Sequence, residues 1–283
     1  MDKAMEERMR SLGALAATSM IRQTSDILHE KGMFTVDRFF KLAMGEQGLP
    51  DDMEETNFCL NWVQRMPMAK SDPIWHELAA KHLPELVEKW RTETLGLITP
   101  VSTTINTISY TPYFVRFIKS PAGQGMAALQ AKRAADAAKM LRSASENDVA
   151  QVFQFLSTLL LLQTDVQFGN DVDPEIVQRL LPLLRFLNRK PEFANRLASE
   201  ASERVLCVLS DRARDQQMRP LLPMVKATLE TPLKTCGVRN CRSTAQGKEL
   251  MKCSRCKTAV YCSTEHQRWS WPDHKKLCFA ATF

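Results

Sequence analysis

The C-terminal part of the chain reads Cys236-x4-Cys241-x11-Cys253-x2-Cys256-x5-Cys262-x3-His266-x7-His274-x3-Cys278, and this spacing constrains the fold more than any other feature. Six of the eight cysteines lie here, with Cys59 and Cys207 alone upstream. Cys-x2-Cys is the spacing of a tight turn whose two thiolates converge on one ion. Cys262-x3-His266 and His274-x3-Cys278 put partners one helical turn apart, on the same face. Eight soft or borderline ligands are enough for two tetrahedral zinc sites. A segment of about 45 residues needs metal, disulfides or oligomerisation to fold at all. Disulfides are the poorer account, because they leave two histidines at ligand spacing unexplained. No apolar export signal opens the chain either, since Met1 to Arg10 mixes acids and bases. Reducing compartments keep such thiols free. The expectation is two structural zinc ions in an intracellular protein, cytoplasmic, nuclear or both.

Charge divides the chain at the same place. From Lys234 onward, ten Lys/Arg stand against three Asp/Glu, so a net charge of +7 sits in this segment. The rest carries 28 Lys/Arg and 29 Asp/Glu and is close to neutral. Two domains follow: a helical scaffold over residues 1–230, with a subdivision near 94–122, and a zinc-binding unit over 234–280.

The scaffold reads as mainly α. Met5, Met9, Leu12, Ala16 and Met20 recur at helical spacing. Pro73 opens an amphipathic helix with Trp75, Ala79, Leu83, Leu86 and Trp90 on one face, and Pro84 is placed to kink it. The Thr-rich stretch from Val101 to Tyr110, bounded by Pro100 and Pro112, favours a loop or a short edge hairpin. Helices are then expected over Met126–Leu141, Val152–Leu162, Ile176–Leu187 and the stripe from Phe193 to Val208. A last short helix lies near Leu221–Leu229, closed by Pro232. The middle helices are apolar on more than one narrow stripe, as in helices covered on two sides. Comparable helices begin near Glu146 and Pro191, about 44 residues apart, within the period of armadillo and HEAT repeats. The architecture is therefore an armadillo/HEAT-like α-solenoid or a plain helical bundle.

Catalytic patterns are missing. His76-Glu77-x4-His82 has the wrong spacing for a helical zinc-protease site, so its imidazoles fall on different faces. The ten glycines are scattered and form no phosphate loop, and no Gly-x-Ser-x-Gly elbow occurs. Val152–Leu162 is about half a membrane span and is interrupted by Gln154 and Ser157. No enzyme activity, small-molecule substrate or membrane partner is expected.

The C-terminal segment resembles the MYND-type zinc finger. Beyond the ligands, Tyr261 precedes the fifth, Gln267 follows the sixth, and Trp271 stands three residues before His274, with Lys275 after it. Two departures stand out: the first pair is separated by four residues instead of two, and His266 stands where a cysteine is usual. The resemblance implies interleaved sites, with Cys236, Cys241, Cys262 and His266 on one zinc and Cys253, Cys256, His274 and Cys278 on the other. Spacing alone also permits a sequential arrangement. Interleaving makes each site three cysteines and one histidine with formal charge −1, which leaves the finger at about +5. The resemblance further implies docking of short proline-containing segments on Gln267 and Trp271, although Trp271 also reads as a core residue of the finger. MYND fingers occur in SET-domain lysine methyltransferases as well. No histidine here follows an asparagine, so the Asn-His-Ser-Cys-like motif of those enzymes is missing. The function expected is an intracellular adaptor binding protein partners through a short peptide motif. The alternative is a nucleic-acid-associated regulator using the basic finger.

Overall fold

A computed structural model describes residues 35–45, 52–94, 96–163, 171–194, 196–215, 217–241, 243 and 249–283. The helix expected over Met5–Met20 lies outside these residues. Twelve α-helices are described: α1 (Val36–Ala43), α2 (Asp52–Gln64), α3 (Met68–Thr92), α4 (Pro100–Ile108), α5 (Pro112–Ile118), α6 (Met126–Asp136), α7 (Ala138–Ser143), α8 (Glu146–Gln163), α9 (Pro174–Asn188), α10 (Leu197–Leu209), α11 (Leu222–Lys234) and α12 (Thr264–His274). One antiparallel pair, β1 (Met251–Lys252) and β2 (Val260–Tyr261), lies between α11 and α12. The chain is mainly helical, with a small zinc-binding unit near its C-terminus.

The expected apolar face of α3 is its core face: Trp75, Ala79, Leu83, Leu86 and Trp90 are all buried. The helix begins at Met68, however, so Pro73 lies inside it and does not open it. Pro73 withholds a hydrogen bond only from the carbonyl of Ala69, which sits on an exposed residue. Pro84 withholds one from Ala80, and that carbonyl receives the backbone N–H of Thr282 at 3.1 Å. The far end of the chain thus satisfies an acceptor that a proline leaves open.

The Thr-rich stretch is a helix, not a loop or hairpin. Thr99 caps α4: its hydroxyl accepts the Ser102 N–H at 3.1 Å, and the Ser102 hydroxyl accepts the Thr99 N–H at 2.8 Å. Pro100 and Pro112 occupy first-turn positions of α4 and α5, where a missing N–H costs nothing. Two threonine hydroxyls are absorbed within the helix, Thr104 donating to Pro100 O and Thr107 to Thr103 O, whereas the buried Thr103 hydroxyl has no partner among the described residues. Val101, Ile105 and Ile108 form the stripe that buries α4 against α3 and α8.

Two further boundaries differ from expectation. The run Met126–Leu141 is split at Ala137 into α6 and α7. Ala137 sits at φ −86° and ψ 11° although alanine favours continuation, and both pieces lie against α9. Pro232 lies inside α11, which runs on to Lys234 and delivers the chain directly to Cys236. Buried Glu230 holds that helix to the end of α5 by pairing with Lys119, and it pairs with Lys234 within its own helix. α8 packs mainly on α10, and α10 on α9, around Phe153, Leu156, Leu160, Leu184 and Val205.

The capping box predicts its own test. Thr99→Ala removes an N-cap worth about 1 kcal/mol and should lower the urea midpoint by a matching amount. An unchanged midpoint would show that α4 is held by packing alone.

Candidate metal centre

Local geometry assembles the ligands in three steps. The first pair is closed by a turn in which the Cys241 N–H donates to Val238 O at 3.1 Å and Asn240 takes a left-handed φ of 67°. The four-residue spacing is therefore accommodated, and both thiols reach the same cluster. The second pair sits in the turn of the β1–β2 hairpin, where Lys257 N–H donates to Cys253 O and Cys253 N–H to Ala259 O, both at 2.9 Å. Ser263 then caps α12 by accepting the His266 N–H, so Cys262 and His266 stand together at the helix start. Gly237 lets the two halves meet. Its N–H donates to Val260 O, and a Cβ there would lie 3.0 Å from the Tyr261 ring.

Two four-residue clusters result, Cys236–Cys241–Cys262–His266 and Cys253–Cys256–His274–Cys278, with ligand atoms within 4.8 Å of one another. The structure thus pairs the ligands in the interleaved scheme. Zn–S bonds of about 2.3 Å give a tetrahedron edge of roughly 3.8 Å. Cys241 and Cys262 sulfurs lie 3.7 Å apart, and so do those of Cys253 and Cys278. His266 presents Nδ1 at 3.4 Å from Cys236 Sγ and 3.1 Å from Cys262 Sγ, whereas His274 presents Nε2 at 3.7 Å from Cys256 Sγ. These separations suit four donors around one small cation. The two Cys3His clusters fit two structural zinc ions, with every position filled by protein.

The electrostatics of the second cluster suits a cation. In the second cluster, burial opposes ionisation of Cys256, yet hydrogen bonds from His274, Thr258 and the Ala259 backbone hold its thiol down to about 5. Burial and the neighbouring Cys256 charge push Cys278 up to about 12. Protein groups alone stabilise one thiolate at the expense of another. A bound divalent cation lets all three ionise.

The proposed partner residues lie on α12. Trp271 is 41 % exposed, so it is not a buried core residue of the finger, and Gln267 is half-buried one turn before it on the same face. Trp269, which the sequence did not single out, is 69 % exposed and lies against His266, with ring centroids 5.1 Å apart. Arg239, Lys252, Arg255, Lys257, Arg268, Lys275 and Lys276 are all exposed. The other two histidines of interest are structural. His76 is buried in contact with Tyr113, and burial lowers its pKa, while His82 stacks on Phe40.

Residues 235–278 match the family model described as the MYND finger. The segment is a MYND finger, and the match leaves the helical region outside it. Histone-lysine N-methyltransferase SMYD3 of Homo sapiens is 58 % identical over 33 residues, which cover 11 % of this chain and 8 % of that protein. Egl nine homolog 1 of Homo sapiens is 42 % identical over 38 residues, 13 % of this chain and 9 % of that protein. SMYD3 of Mus musculus is 54 % identical over 33 residues, again 11 % and 8 %. The chain thus spans under a tenth of the length of these relatives. No solved structure gives a significant match to the chain.

Interleaving predicts metal content. Cys236→Ala and His266→Ala strip the same site, so the double variant should retain one zinc per chain, like either single variant. Cys236→Ala with Cys253→Ala should retain none. Elemental analysis of the purified variants reads the outcome, and loss of both ions from the first double variant would refute the pairing.

Proposed function

We propose that this protein is a non-enzymatic intracellular adaptor whose finger docks a short, proline-containing peptide and whose helical region serves as scaffold. A MYND finger is a zinc-binding module that commonly mediates protein–protein interaction. The observation that carries the finer reading is the exposed α12 face, where Trp271 and Gln267 stand together and neither is a metal ligand. An extended peptide already near its bound conformation loses little entropy on docking, and its proline rings stack well on an indole. The Gln267 amide can donate to and accept from the peptide backbone. Closed metal sites have no position for a reacting water, which supports a binding role over catalysis.

The exposed basic residues favour the second reading, contact with nucleic acid. The two readings separate on one set of variants, each checked for two zinc ions. With a proline-containing peptide as ligand, Trp271→Ala should weaken binding by about 2 kcal/mol, as loss of a central aromatic anchor does. Replacing both Lys275 and Lys276 by Ala should matter less. A nucleic-acid binder would show the reverse order and a steep loss of affinity with added salt. Unchanged peptide affinity in zinc-replete Trp271→Ala would remove the case for peptide docking.

A further inference from the structure

We infer that the helical region completes the second metal site, with Tyr113 and Arg116 of α5 acting as positioning residues for Cys278 and Cys256. Tyr113 is fully buried, and its hydroxyl accepts the Phe279 N–H at 2.7 Å. The same hydroxyl hydrogen points towards the carbonyls of Leu277 at 2.9 Å and Phe279 at 3.0 Å. Leu277 and Phe279 are the two neighbours of Cys278, so one rigid side chain grips the ligand from both sides. Arg116 donates to Cys256 O at 2.7 Å, which fixes the backbone of a second ligand of the same ion. Its guanidinium also donates to Phe283 O and lies 5.0 Å from the Phe283 ring centroid.

Two further contacts hold the segment in place. The Phe117 and Phe283 rings meet edge to face at 5.1 Å, and Thr282 N–H occupies the Ala80 carbonyl left open by Pro84. The first site is supported differently. Apart from Thr235 N–H, which closes the last turn of α11 on Thr231 O, the hydrogen bonds around Cys236 and Cys262 among the described residues run within the finger: Cys236 N–H to Ser243 O, Gly237 N–H to Val260 O, and Ser270 to Gly237 O. Outer groups that orient metal ligands commonly govern affinity by 10–100-fold. The inference is independent of whether the finger docks a peptide. By linkage, an ion at the second site also steadies the junction of α3 and α5.

The test uses the full chain loaded with zinc. Wild type, Tyr113→Phe and Arg116→Ala are titrated with a chelator, and cysteine alkylation is mapped by mass spectrometry at each step. Tyr113→Phe keeps the buried ring and removes only the hydroxyl. In both variants Cys253, Cys256 and Cys278 should become reactive at a chelator concentration about 10–100-fold lower than in wild type. Cys236, Cys241 and Cys262 should keep their wild-type profile. Equal loss of protection at both sites, or no shift at either, overturns the inference. Joint exposure of every thiol, including buried Cys207, would mark collapse of the helices and would also count against it.

Discussion

The structure depends on a shortage: the finger has too little apolar material to hold itself together. Its strands are two residues long, and α12 has no buried residue. Two Cys3His clusters supply the missing cohesion by drawing four distant points of the chain onto each cation. Structural zinc contributes on the order of 10–16 kcal/mol of apparent binding energy at neutral pH, more than such a segment could gain from burial. The buried cysteines then have a second use. Cys236, Cys253, Cys256 and Cys278 join Tyr261 in the same apolar cluster as Trp75, Tyr113 and Phe117 of the helices.

Prolines shape the surface on which the finger rests. Pro84 sits inside α3 without ending it but frees the Ala80 carbonyl, and a buried or half-buried carbonyl without a partner is costly. The last residues of the chain provide the donor. Pro112 starts α5 with the fixed φ that the first helical turn requires, and that short helix carries Tyr113, Arg116 and Phe117 into contact with the finger. The features that looked like breaks are those that direct the helical region towards its metal-bound neighbour.

The finger therefore presents two chemically different sides. Tyr261, Cys278 and Phe279 turn towards the helices, whereas Trp269 and Trp271 stay in water at 69 % and 41 % exposure. Large exposed indoles are unusual on a small polar module. Under the proposed docking role, anchoring one side to the helices would reduce the freedom that the other side loses on binding a partner.

Sequence by itself determined the chemistry of the site and the class of the fold. Eight Cys and His at ligand spacing allow little besides zinc, because thiolates and imidazoles at those intervals have few other uses in a reducing compartment. The stripe of α3 was legible because a helix repeats its face every three or four residues. The helix at Pro100–Ile108 was not, although Val101, Ile105 and Ile108 stand at helical spacing. β-Branched composition points to strand, and only burial against α3 and α8, with the Thr99–Ser102 cap, reverses that preference. Spacing also left two ligand pairings open; the hairpin at Cys253–Cys256 and the approach of Gly237 to Tyr261 decide between them in space. The grip of Tyr113 on Leu277 spans 164 residues and leaves no local mark, because neither residue needs the other until the chain has folded. Ligand identity is a property of side chains, which a sequence states outright. Ligand support is a property of distances, which exist only in the tertiary structure.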